Sequence, residues 1–322
     1  LASCALRAGV TRVVARARLQ RALPSATGPE LALVPESMAA APHLEGRQPD
    51  LIVDATGRAR HSSHVLDIPA RVGPRKDVAH FAHFEGFRWD DEPGQVLIAR
   101  RDAGWSWCIP LHERLSVGIV LGQDDAAQLG RSPEERLSAA VTKDPWLSSV
   151  VGSARRVTPV ATYANYQLIA HRAVGPGWVA IGDAFGFVDP MLSPGVFLSL
   201  RSAELVADAL TPMLARRTEA SPARLAARLR SYGTAHGAAL SAWLALVEQF
   251  YDGRVLALMR AGRDFMANGS GPVKNAVQRH IERHIGLQAS GAGTTRRYSR
   301  ALLQFLGRYG LRGVEPADYA IR

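Results

Sequence analysis

The chain has 322 residues, of which 47% are hydrophobic and 21% charged, so it can form two domains with a sizeable core and is too apolar for wholesale disorder. It has no apolar run long enough for a membrane span, and its two cysteines, Cys4 and Cys108, cannot build a disulfide framework, which fits a reducing cytoplasm. The formal net charge of +10 is mostly due to arginine, and the arginines are scattered through amphipathic segments without a basic run interleaved with aromatic residues, which favours an anionic substrate or cofactor over a nucleic acid.

The N-terminal part has the pattern of an α/β fold. Residues 1–8 read as the end of a helix, Val10–Leu19 as a strand and Leu31–Val34 as a second strand. The run Leu51–Val53 predicts a buried parallel strand that ends at Asp54. Because the first residue is Leu1 and no signal peptide follows it, we expect the chain to start inside a longer gene product.

Three successive strands without an intervening helix predict an antiparallel sheet in the middle of the chain. They are Val96–Ala99, Trp105–Ile109 and Leu115–Leu121. Ser132, followed by Pro133 and Glu135, predicts a capped helix start, and residues 157–166 predict another extended segment. Trp178–Ile181 then predicts a second buried parallel strand, followed by a loop, a helix from about residue 195 to 210, and helices from about residue 221 onwards.

The segment from Gly182 to Val196 reads as a strand end, a turn and a helix start. Asp183 follows the strand, where α/β proteins bind ligands, and its carboxylate can accept hydrogen bonds from ligand hydroxyls. Ser193 and Pro194 suit a helix start, and Gly195 allows a ligand to approach the backbone closely. Free N–H groups at this helix start would favour a negative charge.

This segment resembles the second FAD motif of the flavoprotein hydroxylase superfamily, which includes aromatic hydroxylases, geranylgeranyl reductases and flavin-dependent halogenases. The resemblance implies that Asp183 binds the ribityl chain of FAD and that the turn Ser193-Pro194-Gly195 lies beside the flavin ring, where halogenases also hold the halide. It makes the remaining cofactor-binding candidates of this segment Gly182, Pro190, Gly195 and Val196.

The segment from Asp50 to Arg58 resembles the strand and the Ala-Thr-Gly turn of the same superfamily. The resemblance implies that this part of the chain passes close to the adenosine half of FAD, with Asp54, Thr56 and Gly57 as cofactor-binding candidates. Small residues suit such a turn because the backbone packs against the cofactor.

The segment Trp105-Ser106-Trp107-Cys108-Ile109-Pro110 matches the Trp-x-Trp-x-Ile-Pro pattern of flavin-dependent halogenases, the tryptophan halogenase-like family. The resemblance implies that Trp105 and Trp107 lie beside the flavin and keep the organic substrate away from it, so that both join Ser193, Pro194 and Gly195 as catalytic candidates. The alternative is that two alternating tryptophans simply fill one face of a strand.

The resemblance implies an α/β fold: an FAD-binding Rossmann-like domain of the aromatic-hydroxylase type, with an inserted antiparallel substrate sheet and a helical C-terminal region. We place the FAD domain at residues 1–60 and 157–212, the sheet at 61–156 and the helical region at 213–322. The Gly-x-Gly-x-x-Gly fingerprint and the catalytic lysine of the halogenases are expected upstream of Leu1, since Lys76, Lys143 and Lys274 lie in no matching motif.

The implied activity is that of an FAD-dependent halogenase. A separate flavin reductase would supply FADH2, which with O2 and a halide ion would halogenate an electron-rich aromatic substrate, free or carrier-bound. A monooxygenase or prenyl-chain reductase of the same superfamily and a non-catalytic FAD-binding fragment stay open as alternatives. No metal is expected, because the pairs His61/His64 and His80/His83 lack a companion cysteine or acidic cluster with ligand spacing.

Overall fold

The computed structural model describes residues 1–23, 25–90, 92, 94–101, 103–164, 167–215, 221–267, 269, 271–311 and 313–321. The chain divides into two compact units, each made from two stretches: Leu1–Val72 with Leu168–Ser241, and Gly73–Gln167 with Ala242–Arg322. The predicted fold class is confirmed, because a mixed α/β unit is interrupted in sequence by an antiparallel sheet and the C-terminal region is helical.

The first unit contains short strands and two long helices. Its elements are α1 (Ala2–Arg7), β1 (Leu19–Arg21), β2 (Leu31–Leu33), α2 (Pro35–Ala39), β3 (Ile52–Asp54), α3 (His61–Val65), β4 (Ala70–Val72), β11 (Leu168–Ala170), β12 (Val174–Gly175), β13 (Trp178–Ala180), β14 (Gly186–Phe187), α7 (Gly195–Ala215) and the first part of α8 (Pro222–Tyr251). Short 3₁₀ helices lie at Pro42–Leu44, Gly57–Ala59 and Gly182–Ala184.

The two strands of the first unit that were predicted to be buried and parallel pair with each other, but only β13 is fully buried, since Val53 of β3 is exposed. Strand β13 lies parallel to β3, with Trp178 opposite Ile52, and β12 adds an antiparallel edge to β13. A second three-stranded sheet has the order β14-β11-β4, and β1 pairs with β2. Parallel pairing puts the carboxyl ends of β3 and β13 side by side, which positions the loops that follow them.

The strand predicted over Val10–Leu19 is wrong except at its last residue. Only Leu19–Arg21 pairs, with Leu19 opposite Leu33 of β2. Val13 and Val14 are exposed, and no strand pairs with residues 10–18 in the described part of the chain. Alternating apolar residues therefore do not form a strand here, because a strand needs a partner for its backbone groups.

The second unit contains the long strands and most of the helices. Its elements are β5 (Asp77–Glu85), β6 (Leu97–Arg100), β7 (Trp105–Pro110), β8 (Leu115–Gly122), α4 (Gln123–Leu129), α5 (Pro133–Lys143), α6 (Pro145–Val151), β9 (Arg155–Arg156), β10 (Ala161–Ala164), the end of α8, α9 (Arg254–Ala267), α10 (Pro272–Ala289), α11 (Arg297–Tyr309) and a 3₁₀ helix at Pro316–Tyr319. The extended segment predicted over 157–166 is a strand only at β10, and residues 165 and 166 lie outside the described residues.

The sheet of the second unit is antiparallel, with the strand order β10-β5-β8-β7-β6 and β9 paired to β5. Alternate residues of β5 and β8, among them Val78 and Ile119, form a buried core with Leu137 of α5 and Leu147 of α6. The predicted capping box of α5 is present, since Ser132 accepts from the Glu135 N–H while the Glu135 side chain bonds back. The opposite face of the sheet carries Trp105 and Trp107.

The helices α9, α10 and α11 hold most of the net positive charge of the chain. Residues 254–312 contain eleven arginines and lysines against two acidic residues, so they account for nine of the ten net positive charges. No helix of the described residues is both long and apolar enough to cross a membrane.

Candidate active site

The loops that follow β3 and β13 meet at one edge of the first unit. Asp54 lies opposite Ala180 at the last paired position, and the N–H of Ile181 donates to the Asp54 carbonyl at 3.0 Å. The Ala-Thr-Gly turn after β3 and the Gly182–Ala184 turn after β13 are therefore neighbours. This is the edge at which parallel α/β sheets bind ligands.

The Asp54 carboxylate is buried and fully engaged within the protein. It accepts hydrogen bonds from the N–H and hydroxyl of Thr56 at 3.0 and 2.6 Å, and from the N–H and hydroxyl of Ser62 at 2.7 and 2.5 Å. Burial alone would raise the pKa of Asp54, but the bonds from Ser62 and Thr56 outweigh it and hold the pKa below its ordinary value. This carboxylate fixes the turn that contains Thr56 and Gly57, whose positive φ of 61° suits glycine.

The Asp183 carboxylate, in contrast, is half-buried and available. No hydrogen bond to it is found among the described residues. Burial raises the pKa of Asp183 above its ordinary value, and Arg58, from the turn after β3, offsets part of that rise. A partly desolvated carboxylate with open acceptor positions is a group that a ligand with hydroxyls can satisfy.

Gly182 allows the turn that contains Asp183 to pack directly against α7. Its φ is +54°, and a Cβ there would lie 2.8 Å from the Ser199 hydroxyl oxygen. The Gly182 N–H donates to Ser202 Oγ at 2.9 Å, and that hydroxyl donates in turn to the Ser199 carbonyl at 2.7 Å. Glycine is required here both by the backbone conformation and by the close approach of the helix.

The helix α7 begins at Gly195, as predicted, and Pro194 rather than Ser193 immediately precedes its first residue. The Leu198 N–H donates to the Pro194 carbonyl at 2.9 Å, while Leu192 and Ser193 have left-handed φ values of 65° and 50°, which delay the helical conformation. Within the described residues, no acceptor is found for the N–H groups of Gly195 and Val196. These donors and the positive end of a 21-residue helix suit an anion or a polarised carbonyl.

Pro190 and Val196 were also predicted as cofactor-binding residues of this segment. The Pro190 carbonyl accepts from the Ser193 N–H at 2.9 Å, which closes the turn that precedes α7. Val196 is 74% exposed, so the start of α7 is open to solvent. The first unit thus brings Thr56, Gly57 and Asp183 to one edge through the pairing of β3 with β13, and Gly182 packs that edge on α7.

Trp105 and Trp107 belong to the second unit, on the sheet face opposite α5 and α6. Trp105 is buried and Trp107 is half-buried, and their ring centroids are 5.6 Å apart at an interplanar angle of 43°. The Trp107 ring lies over Gly118 of β8, where a Cβ would come within 2.2 Å of it. Both tryptophans therefore pack as strand residues, and Trp107 remains partly exposed.

Sequence reasoning missed the aromatic neighbours of this pair. Phe81 of β5 lies 5.7 Å from the Trp107 ring centroid and 5.8 Å from that of Tyr163 on β10. Gly118 separates Phe81 from Trp107 in the sheet and leaves the space in which their rings meet. A lone glycine in a predicted strand was the available signal for this close approach.

The remaining candidates carry no chemistry that the structure supports. His80 and His83 share β5, where residues three apart point to opposite faces, so they cannot act as a pair. No cluster of three metal-ligating side chains is found in the described part of the chain. Cys108 is buried, which raises its thiol pKa to about 12, and Cys4 is exposed.

A buried histidine lies behind the Asp183 loop and was also missed. His236 of α8 is fully buried against Phe185 and stacks on Tyr232, whose hydroxyl donates to the Ala180 carbonyl of β13 at 2.7 Å. Neither ring nitrogen of His236 has a hydrogen-bond partner among the described residues, and burial lowers its pKa to about 4. The imidazole is therefore neutral in the folded protein.

We expect this histidine to make the protein acid-sensitive. In the unfolded chain this histidine becomes protonated below a pH of about 6.5, whereas in the folded protein His236 stays neutral down to about pH 4. The free energy of unfolding therefore falls as the pH is lowered over that range. At about 1.4 kcal/mol per pKa unit the loss amounts to a few kcal/mol. Urea unfolding at pH 7.5 and 4.5 should show a smaller difference for His236→Phe than for the wild type or for the exposed-site control His112→Gln. An unchanged difference in His236→Phe would contradict this.

Comparison with known proteins identifies the family. The tryptophan halogenase family matches residues 42–228, more than half of the chain. The tryptophan 2-halogenase of Chondromyces crocatus is 26% identical over 210 residues, which cover 63% of this chain and 39% of the relative. A brominase of 1H-pyrrole-2-carbonyl-(peptidyl-carrier protein) from Pseudoalteromonas luteoviolacea is 28% identical over 171 residues, which cover 50% of this chain and 41% of the relative.

Solved structures support the same fold. The myxobacterial chondrochloren halogenase, an FAD-dependent halogenase, superposes with a TM-score of 0.60 at 21% identity over 95% of this chain and 71% of its own. The chain spans about two fifths of the length of the two curated relatives. Because the family match extends over more than half of its residues, the chain belongs to the tryptophan halogenase family.

Proposed function

We propose that the complete protein is an FAD-dependent halogenase that uses FADH2, O2 and a halide ion to halogenate an electron-rich aromatic substrate. The observation that carries the proposal is the edge of the first unit, where the available carboxylate of Asp183 follows the parallel strand pair. The residues present fit part of FAD: Asp183 offers acceptors to the ribityl hydroxyls, and Gly57 leaves open space for a close approach, since a Cβ there would meet nothing within 4 Å.

The start of α7 supports the halide part of the proposal. The N–H groups of Gly195 and Val196 would hold an anion, and Pro194 contributes no donor because its ring replaces the N–H. Bound FAD would supply the redox chemistry with O2, while the protein binds and orients the cofactor and keeps the organic substrate away from it. We assign Trp105 and Trp107 the task of keeping the organic substrate away from the flavin.

The relatives support a proposal for the substrate class. A relative brominates a pyrrole group bound to a peptidyl-carrier protein, so we propose an aromatic substrate that is either free or carrier-bound. We further propose that a separate flavin reductase supplies FADH2. Asp54 would act through the turn that its carboxylate fixes rather than by direct contact with the cofactor.

The test is the halide dependence of product formation in the complete gene product. Supplied with reduced flavin, O2 and an aromatic substrate, it should give halogenated product only when chloride or bromide is present. Gly195→Val should lower halogenation about tenfold or more relative to flavin reoxidation, because the branched side chain crowds donors worth about 1.5–3 kcal/mol to an anion. The matched control is Gly286→Val, at an open position on α10.

Mass spectrometry of the products decides between the alternatives. Hydroxylated product at the same rate with and without halide would assign a monooxygenase, and a saturated prenyl chain would assign a reductase. Binding of FAD without formation of any product would assign a non-catalytic FAD-binding fragment.

A further inference from the structure

The buried tryptophan of the Trp-x-Trp segment has one polar side-chain partner among the residues that the structure describes. Trp105 is 2% exposed, and its indole N–H donates to the hydroxyl oxygen of Tyr251 at 3.0 Å. Tyr251 is the last residue of α8, 146 positions further along the chain, and it is buried as well. Since an indole has only this one donor, Tyr251 determines the direction in which the buried ring can point.

Tyr251 is itself held by a charged pair. The guanidinium carbon of Arg75 lies 3.7 Å from the centre of the Tyr251 ring, and Arg75 also donates two hydrogen bonds, of 2.5 and 3.2 Å, to Asp77 at the start of β5. The Asp77 side chain is only 4% exposed, so this bidentate pair is well fixed. The Tyr251 carbonyl accepts from the Ile321 N–H at 2.8 Å, which anchors the backbone of the same residue.

The second tryptophan has a separate support. Trp107 donates its indole N–H to Ser116 Oγ at 3.1 Å and rests on Gly118, and its ring leans against that of Trp105. The hydrogen bond from Trp107 to Ser116 does not involve Trp105. Displacement of Trp105 would therefore remove the ring contact between the two tryptophans without removing this hydrogen bond. The polar contact of Trp105 is thus made to Tyr251, which lies outside the Trp-x-Trp segment.

We propose that Tyr251 is a positioning residue for Trp105, with Arg75 and Asp77 holding its phenol ring in place. This inference rests on the proposed function, in which Trp105 and Trp107 keep the organic substrate away from the flavin. A correctly oriented Trp105 would then set the fraction of reduced flavin that is used for halogenation rather than lost to the direct reaction of FADH2 with O2, which gives FAD and hydrogen peroxide.

The test combines a spectroscopic measurement with a product ratio. Tyr251→Phe keeps the ring under Arg75 and removes the hydroxyl that accepts from the indole N–H. Fluorescence of Trp105, taken as the difference between each protein and the same protein with Trp105→Phe, should shift to shorter wavelength in Tyr251→Phe without FAD. The ratio of halogenated product to hydrogen peroxide should fall several-fold, with FAD affinity unchanged. Tyr309→Phe, at an exposed tyrosine of α11, is the matched control and should change neither.

The outcomes separate this inference from the proposed function. An unshifted Trp105 emission in Tyr251→Phe overturns the positioning role, as does a shifted emission with an unchanged product ratio. If the wild-type protein makes no halogenated product while the emission still shifts, the proposed function fails and the anchoring of Trp105 by Tyr251 stands.

Discussion

Replacing Asp183 with alanine should weaken FAD binding about tenfold or more. The carboxylate is half-buried, it has no hydrogen-bond partner among the described residues, and burial raises its pKa, so it gains most from hydroxyl donors of a ligand. A hydrogen bond to a charged group is worth about 1.5–3 kcal/mol, which corresponds to about tenfold or more in the dissociation constant.

Titration of FAD against the apo-form of the complete gene product, followed by flavin fluorescence, measures this effect. Asp183→Asn should lose less than Asp183→Ala, because the amide keeps one acceptor oxygen. Asp208→Ala, which removes an exposed carboxylate from α7, is the matched control. Equal affinity for the wild type and Asp183→Ala would remove Asp183 from the cofactor site.

Gly182→Ala should destabilise the first unit far more than Gly57→Ala. Both glycines have left-handed φ values, of 54° and 61°, so each substitution costs about 1–2 kcal/mol in backbone conformation. At Gly182 the new Cβ would also lie 2.8 Å from Ser199 Oγ and 3.2 Å from Ser199 Cβ, and the forced movement of α7 or the turn adds about 1–3 kcal/mol. At Gly57 the Cβ meets nothing within 4 Å.

Chemical unfolding of the two variants isolates the steric part, since the backbone cost is common to both. Gly182→Ala should also weaken FAD binding, because the displaced turn carries Asp183. Equal losses of unfolding free energy in the two variants would mean that the added Cβ at position 182 is accommodated beside α7 without any loss of stability.

Sequence could predict those parts of the candidate site that depend on residues close together along the chain. The Gly182-Asp183 turn, the donors at Gly195 and the two tryptophans each lie within one continuous segment. The short strands that carry them, β3, β7 and β13, have compact apolar or aromatic patterns. The fold class was predicted from the resemblance of these segments to the motifs of the flavoprotein hydroxylase superfamily.

The parts that sequence could not predict depend on which residues meet after folding. The sequence suggests that the Asp54 carboxylate contacts the cofactor. In the structure, however, Ser62, eight residues further along the chain, donates two hydrogen bonds to this carboxylate. The contact of Trp105 with Tyr251 joins residues 146 positions apart. The strand predicted over Val10–Leu19 shows the same dependence, because its alternating pattern was adequate but no strand of the described residues pairs with residues 10–18.

The concentration of positive charge in α9, α10 and α11 affects every binding measurement on this protein. FAD carries a negatively charged pyrophosphate, and nine net positive charges in residues 254–312 attract any polyanion at low ionic strength. At about 0.15 M salt the screening length is about 8 Å, so this diffuse attraction fades while short-range contacts such as those of Asp183 persist. Measuring FAD binding at increasing salt concentrations therefore distinguishes flavin that is adsorbed to the positive surface from flavin bound in a site. Nucleic acid carried over from a lysate will dissociate over the same range of salt concentration.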